Sequence, residues 1–132
     1  MAQLRISDAA GFLAVSDDTV RRWIASGQLA AITDTAGRKV VDGRVLADFA
    51  RTHAAQVPSP PGAPSSARNR FVGLVTKVTA DTVMAQVELQ CGPYRVVSLM
   101  SSEAVEELGL EVGSVAVAVI KSTNVVVELA EG

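Results

Sequence analysis

The chain has 132 residues, enough for one ordinary domain or two very small ones. Apolar residues make up 48% of the chain but aromatic residues only 4%, so Val and Ala must fill its core. No apolar stretch approaches the roughly 20 residues of a membrane-spanning helix. One cysteine and one histidine exclude a disulfide framework, a thiolate zinc site and a site of several imidazoles. We therefore expect a cytoplasmic protein that is not an enzyme, with no catalytic residues and no metal cation.

A proline-rich segment divides the chain. Residues 54–67 contain four of the five prolines and no charged residue, a composition typical of an exposed, semi-rigid linker. Of the 21 valines, 15 lie beyond residue 70. The net charge also differs, at +1 over residues 1–52 and −3 over residues 66–132. The sequence predicts a mainly helical domain over 1–52, a linker over 53–65 and a mainly β domain over 66–132.

Two serines near the N-terminus indicate where helices begin. Ser7 and Ser16 each precede aspartate, and a serine at this position accepts a hydrogen bond from a free backbone N–H at the helix start. Helices that begin nine residues apart leave room only for a tight turn, which is helix-turn-helix spacing. Gly27 is predicted to end the second helix in the left-handed conformation, and Asp42 to cap a third helix. Two β-prone stretches between them flank a basic turn, which predicts a small hairpin, or wing.

The runs LRISDAAGFLAVSDDTVRRWIASGQL and GRKVVDGRVLADF resemble the winged helix-turn-helix domains of the MerR/excisionase-like family. The resemblance implies binding to double-stranded DNA. On the second helix Thr19, Arg21 and Arg22 would face the major groove, and on the wing Arg38 and Lys39 would meet phosphates or the minor groove. The alternative for the helix arginines is an ordinary solvated face. Because one copy contacts few phosphates, useful affinity requires two copies on adjacent half-sites.

Alternating apolar and polar residues predict that the second domain is a β structure. Gly73 indicates a bend or a close approach of two backbones. The predicted elements are strands over 70–78, 83–89, 94–100, 114–120 and 124–129, with a helix over 102–108. Five strands with a helix between the third and fourth indicate a small OB-like barrel, so the chain as a whole belongs to the α+β class. The strand over 114–120 is apolar on both faces, which predicts an oligomer interface.

The run SARN at 66–69 and the run KST at 121–123, together with Leu108-Gly109-Leu110, resemble the Mop/TOBE molybdate-binding family. The resemblance implies a tetrahedral oxyanion, molybdate or tungstate, held at interfaces between subunits. The implied oxyanion-binding residues are Ser66, Ala67, Arg68, Asn69, Ser101, Ala104, Lys121, Ser122 and Thr123.

These residue types suit a dianion. Arg68 and Lys121 supply positive charge, hydroxyl groups supply donors, and a helix that starts after Ser101 supplies backbone N–H groups. Ala104 stands where the family usually has a serine, so one hydroxyl is missing. The plainer alternative is that Arg68 and Lys121 are solubilising charges at strand ends.

Together the two halves predict a molybdate-responsive DNA-binding transcriptional regulator that assembles with itself, as a dimer or a trimer of dimers. One alternative is a molybdate store or buffer whose N-terminal domain is an adaptor. The other is an excisionase-like DNA-binding protein that uses the barrel only to oligomerise. No general base, nucleophile or metal cluster can be assembled from these residues.

Overall fold

The computed structural model describes residues 2–54, 62 and 64–130. The chain divides into two compact units, Met1–Gln56 and Val57–Gly132, and each is described by itself. Most of the predicted linker, 53–65, lies outside the described residues. Within the described ranges, no helix is long and apolar enough to cross a membrane.

The first unit combines three helices with a three-stranded antiparallel sheet. Its elements are β1 (Gln3–Arg5), α1 (Ile6–Leu13), α2 (Asp17–Ala25), β2 (Ile32–Thr33), β3 (Lys39–Asp42) and α3 (Gly43–His53). The strand order is β1-β3-β2, and β2 and β3 form the predicted hairpin. Strand β1 was not predicted, because three residues carry too little alternation to indicate a strand.

Helix capping follows the sequence prediction at α2 and α3 but not at α1. The Ser16 hydroxyl accepts from the backbone N–H three residues further on at 3.2 Å, and the Asp42 carboxylate accepts from the N–H two residues on at 2.8 Å. Gly27 has the predicted left-handed conformation, with φ of 82°. The prediction for Ser7 is wrong, because α1 begins at Ile6, two residues before the start that a cap at Ser7 predicts, and follows Arg5 with no side-chain cap. The pairing of β1 with β3 extends to Arg5, so the strand passes directly into the helix.

Small and branched side chains fill the core between the three helices and β3. The buried residues are Ala9, Ala10, Leu13, Val20, Leu29, Val41, Leu46 and Phe49. The ring of Trp23 meets that of Phe49 edge-on at 5.0 Å, and the ring of His53 stacks on Phe49 at 3.9 Å. His53, placed by the sequence at the start of the linker, therefore belongs to α3, although its side chain is exposed.

The second unit is a curled four-stranded antiparallel sheet with one helix. Its elements are β4 (Asn69–Ala80), β5 (Met84–Cys91), β6 (Tyr94–Ser101), α4 (Ser102–Leu108), β7 (Val115–Ile120) and a 3₁₀ turn (Ser122–Asn124). The strand order is β6-β5-β4-β7. Strand β4 pairs with β7 along its first half and with β5 along its second, with a register shift after Val75. Such a shift bends a strand, and the sheet curls into a half-barrel.

Two sequence predictions for this unit have different outcomes. Gly73 does lie at a close approach: a Cβ at this position would be 2.5 Å from Cys91 Sγ and 3.1 Å from the Gln90 carbonyl oxygen. The fifth strand over 124–129 is wrong, because the described residues form four strands here and 125–130 pair with none of them. A β-prone segment becomes a strand only where an open sheet edge meets it.

Candidate functional site

The two runs SARN and KST lie side by side at one end of the sheet. Asn69 is opposite Ile120 in the β4–β7 ladder, and its Nδ2 donates to the Ile120 carbonyl oxygen at 3.1 Å. In an antiparallel ladder, the residue that precedes one member of a pair lies beside the residue that follows the other member. Residues 66–68 and 121–123 are therefore neighbours, although about fifty positions separate them in sequence. We call Ser66, Ala67, Arg68, Asn69, Lys121, Ser122 and Thr123 the β4-start group.

The β4-start group supplies hydrogen-bond donors, but in a single chain these donors are open to solvent. The side chains of Arg68, Lys121 and Ser122 are exposed. Arg68 Nη1 donates to the Ser65 carbonyl oxygen at 3.0 Å, which leaves its other N–H groups free to bind a ligand. Lys121 forms no ion pair among the described residues. A dianion here would meet two positive charges and several hydroxyl groups, but would compete with bulk water until another surface covers it.

The other two predicted oxyanion residues lie at the opposite end of β4 from this group. Ser101 caps α4, and its hydroxyl accepts from the Ala104 N–H at 3.1 Å. Ser101 pairs with Met84, the first residue of β5. A short turn joins Met84 to Ala80, the last residue of β4. Ser101 is therefore at the end of β4 opposite to Asn69. A strand rises about 3.3 Å per residue, so the contour between the two ends of β4 is about 36 Å. The structure divides the predicted set into the β4-start group and what we call the α4 group, Ser101 and Ala104.

The concave face of the curled sheet is an open apolar groove. Its volume is about 560 Å³, and side chains of β5, β6 and β7 line it together with Leu108 and Leu110. On β7, which has one neighbour in the described sheet, Val115 is 75% exposed and Val119 is 47% exposed. Monomeric proteins rarely leave an apolar edge strand uncovered.

In the first unit the predicted DNA-binding residues fall into two sets. A pocket of about 390 Å³ is lined by Arg5, Ile6, Ser7, Asp17, Arg21, Arg38 and Lys39; we call it the basic pocket. Thr19 and Arg22 lie outside this lining and are hydrogen-bonded to each other at 3.2 Å on α2. Sequence reasoning missed Arg5. Its position depends on the pairing of β1 with β3, which sets Arg5 opposite Val40, next to Lys39.

The hairpin turn that carries the basic residues is fixed by one carboxylate. Asp34 accepts backbone hydrogen bonds from Arg38 and Ala36, both at 2.9 Å, and its other oxygen accepts from Arg38 Nε at 3.2 Å. The Arg38 backbone N–H, with lesser help from Ala36 and the guanidinium group, holds the pKa of Asp34 below its ordinary value of 3.8. The carboxylate therefore stays ionised at neutral pH and keeps the turn in place.

Two observations on the described residues concern metal ligands and thiol groups. The described residues contain no group of three or more His, Cys, Asp or Glu side chains that could hold a metal ion. Cys91 is a buried free thiol inside the sheet.

Comparison with known proteins shows what the second unit is similar to. Residues 65–127 match the family model described as the TOBE domain. Over 63 residues, 47% of this chain, the sequence is 41% identical to molybdenum-pterin-binding protein 3 of Clostridium pasteurianum, and the match covers 93% of that protein. It is 38% identical over 63 residues to the molybdenum transport protein ModE of Herbaspirillum seropedicae, but these make up only 23% of ModE. A solved molybdate-binding protein from Sporomusa ovata superposes with a TM-score of 0.50 at 25% identity, over 51% of this chain and all of that one.

Proposed function

The chain belongs to the TOBE-domain family, and from that membership we propose that its second unit binds a tetrahedral oxyanion, molybdate or tungstate. The relatives that match it are named for molybdenum-pterin or molybdate binding. The residues suit this ligand class, because a dianion needs cations and several convergent N–H and O–H donors. The β4-start group contains Arg68, Lys121 and three hydroxyl side chains.

The proposed binding mechanism rests on the positions of the predicted donors, which lie at the two ends of β4. Because a strand of 12 residues separates Asn69 from Ser101, we expect that one anion does not contact both residues of the same chain. A complete site therefore requires a second copy, in which the α4 group of one copy meets the β4-start group of its partner. Contact between copies would also exclude the water that surrounds the exposed donors, and this strengthens each charged hydrogen bond.

The proposal includes a homo-oligomer, either a dimer or a trimer of dimers, and two exposed apolar surfaces support it. Each chain has an apolar groove and, after its 3₁₀ turn, an unpaired segment in which Val126, Val127 and Leu129 are 85%, 87% and 95% exposed. Full burial of one such side chain is worth about 1.5–3 kcal/mol, so three give roughly 5–9 kcal/mol before the cost of association. Insertion of this segment into the groove of a second copy would cover both surfaces at once.

The first unit adds a DNA-binding function to this proposal, and the whole chain is then a cytoplasmic, molybdate-responsive transcriptional regulator. Two helices joined by a short turn, followed by a hairpin that carries Arg38 and Lys39, are an arrangement suited to a DNA groove. Assembly through the second units would supply the two copies that adjacent half-sites require. The oxyanion changes DNA affinity only if it binds two arrangements of the oligomer differently.

Calorimetry on the full chain tests the oxyanion site. Molybdate is titrated into the protein in excess sulfate, with Lys121→Ala as the site variant and Lys77→Ala, an exposed lysine outside both groups, as the matched control. A hydrogen bond to a charged group contributes about 1.5–3 kcal/mol, so Lys121→Ala should weaken binding roughly 10- to 100-fold. The control should stay within about twofold of the original affinity.

Light scattering on the same samples tests the shared site. We expect a particle larger than one 13.7 kDa chain, with ligand stoichiometry set by the interfaces. No heat beyond that of sulfate would refute the oxyanion assignment. A monomer that binds one molybdate tightly would refute a site shared between copies. DNA affinity measured with and without molybdate then separates a regulator from a store.

A further inference from the structure

We propose that the basic pocket of the first unit holds a backbone phosphate of duplex DNA, and that Arg5 is an anchoring residue of that site. Arg5 lies outside the helix and hairpin that the sequence predicts to contact DNA. The inference rests on the proposed DNA binding of the first unit and names a phosphate-binding site within that surface.

The fold concentrates positive charge in this pocket from segments that are distant in sequence. Arg5 ends β1, Arg21 lies on α2, and Arg38 and Lys39 lie where the hairpin turn passes into β3. The lining contains these four cations and one carboxylate, Asp17, a net charge of +3; it is +1 when Asp18 and Asp34, which pair with Arg21 and Arg38 from outside the lining, are counted. A concave surface with uncompensated charge of one sign focuses its field and attracts an ion of the opposite sign.

Of the four cations in the lining, two form ion pairs and two form none with the residues that the structure describes. Arg21 Nη1 lies 3.4 Å from an Asp18 carboxylate oxygen, and Arg38 is held to Asp34 through its Nε. Each of these pairs uses one guanidinium nitrogen and leaves the remaining N–H donors for a ligand. Arg5 and Lys39 form no ion pair among the described residues. No carboxylate among those residues therefore lies within ion-pair distance of either charge.

The donor types favour a phosphate group. Three guanidinium groups present planar N–H forks that match two phosphate oxygens at once, and a lysine adds a point charge. Ser7 contributes a hydroxyl group to the same lining. Phosphate contacts fix the position of a protein on DNA but read no bases. Loss of Arg5 should therefore weaken binding to all duplexes alike.

Fluorescence anisotropy of the full chain with a labelled mixed-sequence DNA duplex tests this site, measured from about 50 to 200 mM salt. The variants are Arg5→Gln, Arg5→Lys and, as the matched control, Arg51→Gln, an exposed arginine on α3 outside the pocket. One lost phosphate contact should lower the slope of log K against log salt by about 1. We expect this change for Arg5→Gln, a nearly unchanged slope for Arg5→Lys, and an unchanged slope for Arg51→Gln.

The possible results separate this inference from the proposed function. If the original protein binds no duplex, DNA binding and the phosphate site are both refuted. If it binds and Arg5→Gln has the same affinity and slope, only the phosphate site is refuted. Equal losses for Arg5→Gln and Arg51→Gln would indicate a general charge effect and would also refute the site. Thermal unfolding followed by Trp23 fluorescence shows that each variant is folded, because this single tryptophan packs on the core of the first unit.

Discussion

Replacement of Gly73 by alanine would test whether the curl of the second unit depends on the close approach of β4 and β5. The new Cβ would lie 2.5 Å from Cys91 Sγ, 3.1 Å from the Gln90 carbonyl oxygen and 3.2 Å from Leu89 Cβ. Favourable contacts between carbon atoms are about 3.5–4.0 Å long, so all three are too short. The sulfur can rotate away, whereas a carbonyl oxygen and a Cβ move only with the backbone of β5.

The expected cost follows from this geometry. Forced insertion of a methyl group into a packed interior costs about 1–3 kcal/mol. In a domain of this size each kcal/mol lowers the melting temperature by roughly 4–8 °C, so a cost of about 1–3 kcal/mol should lower it by roughly 4–24 °C. In the background of Cys91→Ala the same substitution should cost less, because the shortest of the three contacts is absent. The difference between the two backgrounds is the coupling free energy of the pair.

Thermal unfolding by circular dichroism, with fluorescence as a second probe, gives the assay. Trp23 is the only tryptophan and Tyr94 the only tyrosine, so the two units report separately. Gly11→Ala is the control, since a Cβ at this position in α1 meets nothing within 4 Å. It should stabilise the first unit by up to about 1 kcal/mol, because alanine is the better helix former. A Gly73→Ala protein whose second unit melts at the original temperature would refute the packing argument.

Two further predictions concern a helix cap and a turn. Ser16→Ala should destabilise the first unit by about 1 kcal/mol in denaturant unfolding, because the α2 cap is lost, whereas Ser7→Ala should not, since that hydroxyl caps nothing; equal effects would contradict this. Asp81 accepts the N–H groups of Met84 and Val83 at 2.7 and 2.8 Å, and these bonds hold its pKa below 3.8. Its contribution to stability is therefore complete above pH 3.8 and is lost as pH falls through the lowered pKa. The free energy of unfolding of the second unit should fall less steeply below about pH 4 in Asp81→Asn, and parallel curves would refute this.

The sequence by itself determined the features that depend on a few neighbouring residues. The caps at Ser16 and Asp42, the left-handed glycine after α2 and the bounds of α4 are all set within one or two turns of chain. Their hydrogen bonds join residues two to four positions apart, so residue types and spacing are sufficient to predict them. The two motif runs were also visible in sequence, which is why residues 65–127 could be recognised as a Mop/TOBE domain.

The tertiary structure alone decided how distant segments combine. The pairing of β1 with β3 adds Arg5 to the basic pocket, and the pairing of Asn69 with Ile120 joins the two motif runs while β4 keeps Ser101 away from them. The segment over 124–129 has strand-forming residues but pairs with no edge of its own sheet. A strand exists only together with the edge it pairs with, and which edge is open depends on the whole sheet. The sequence of the segment over 124–129 alone therefore does not determine whether it forms a strand.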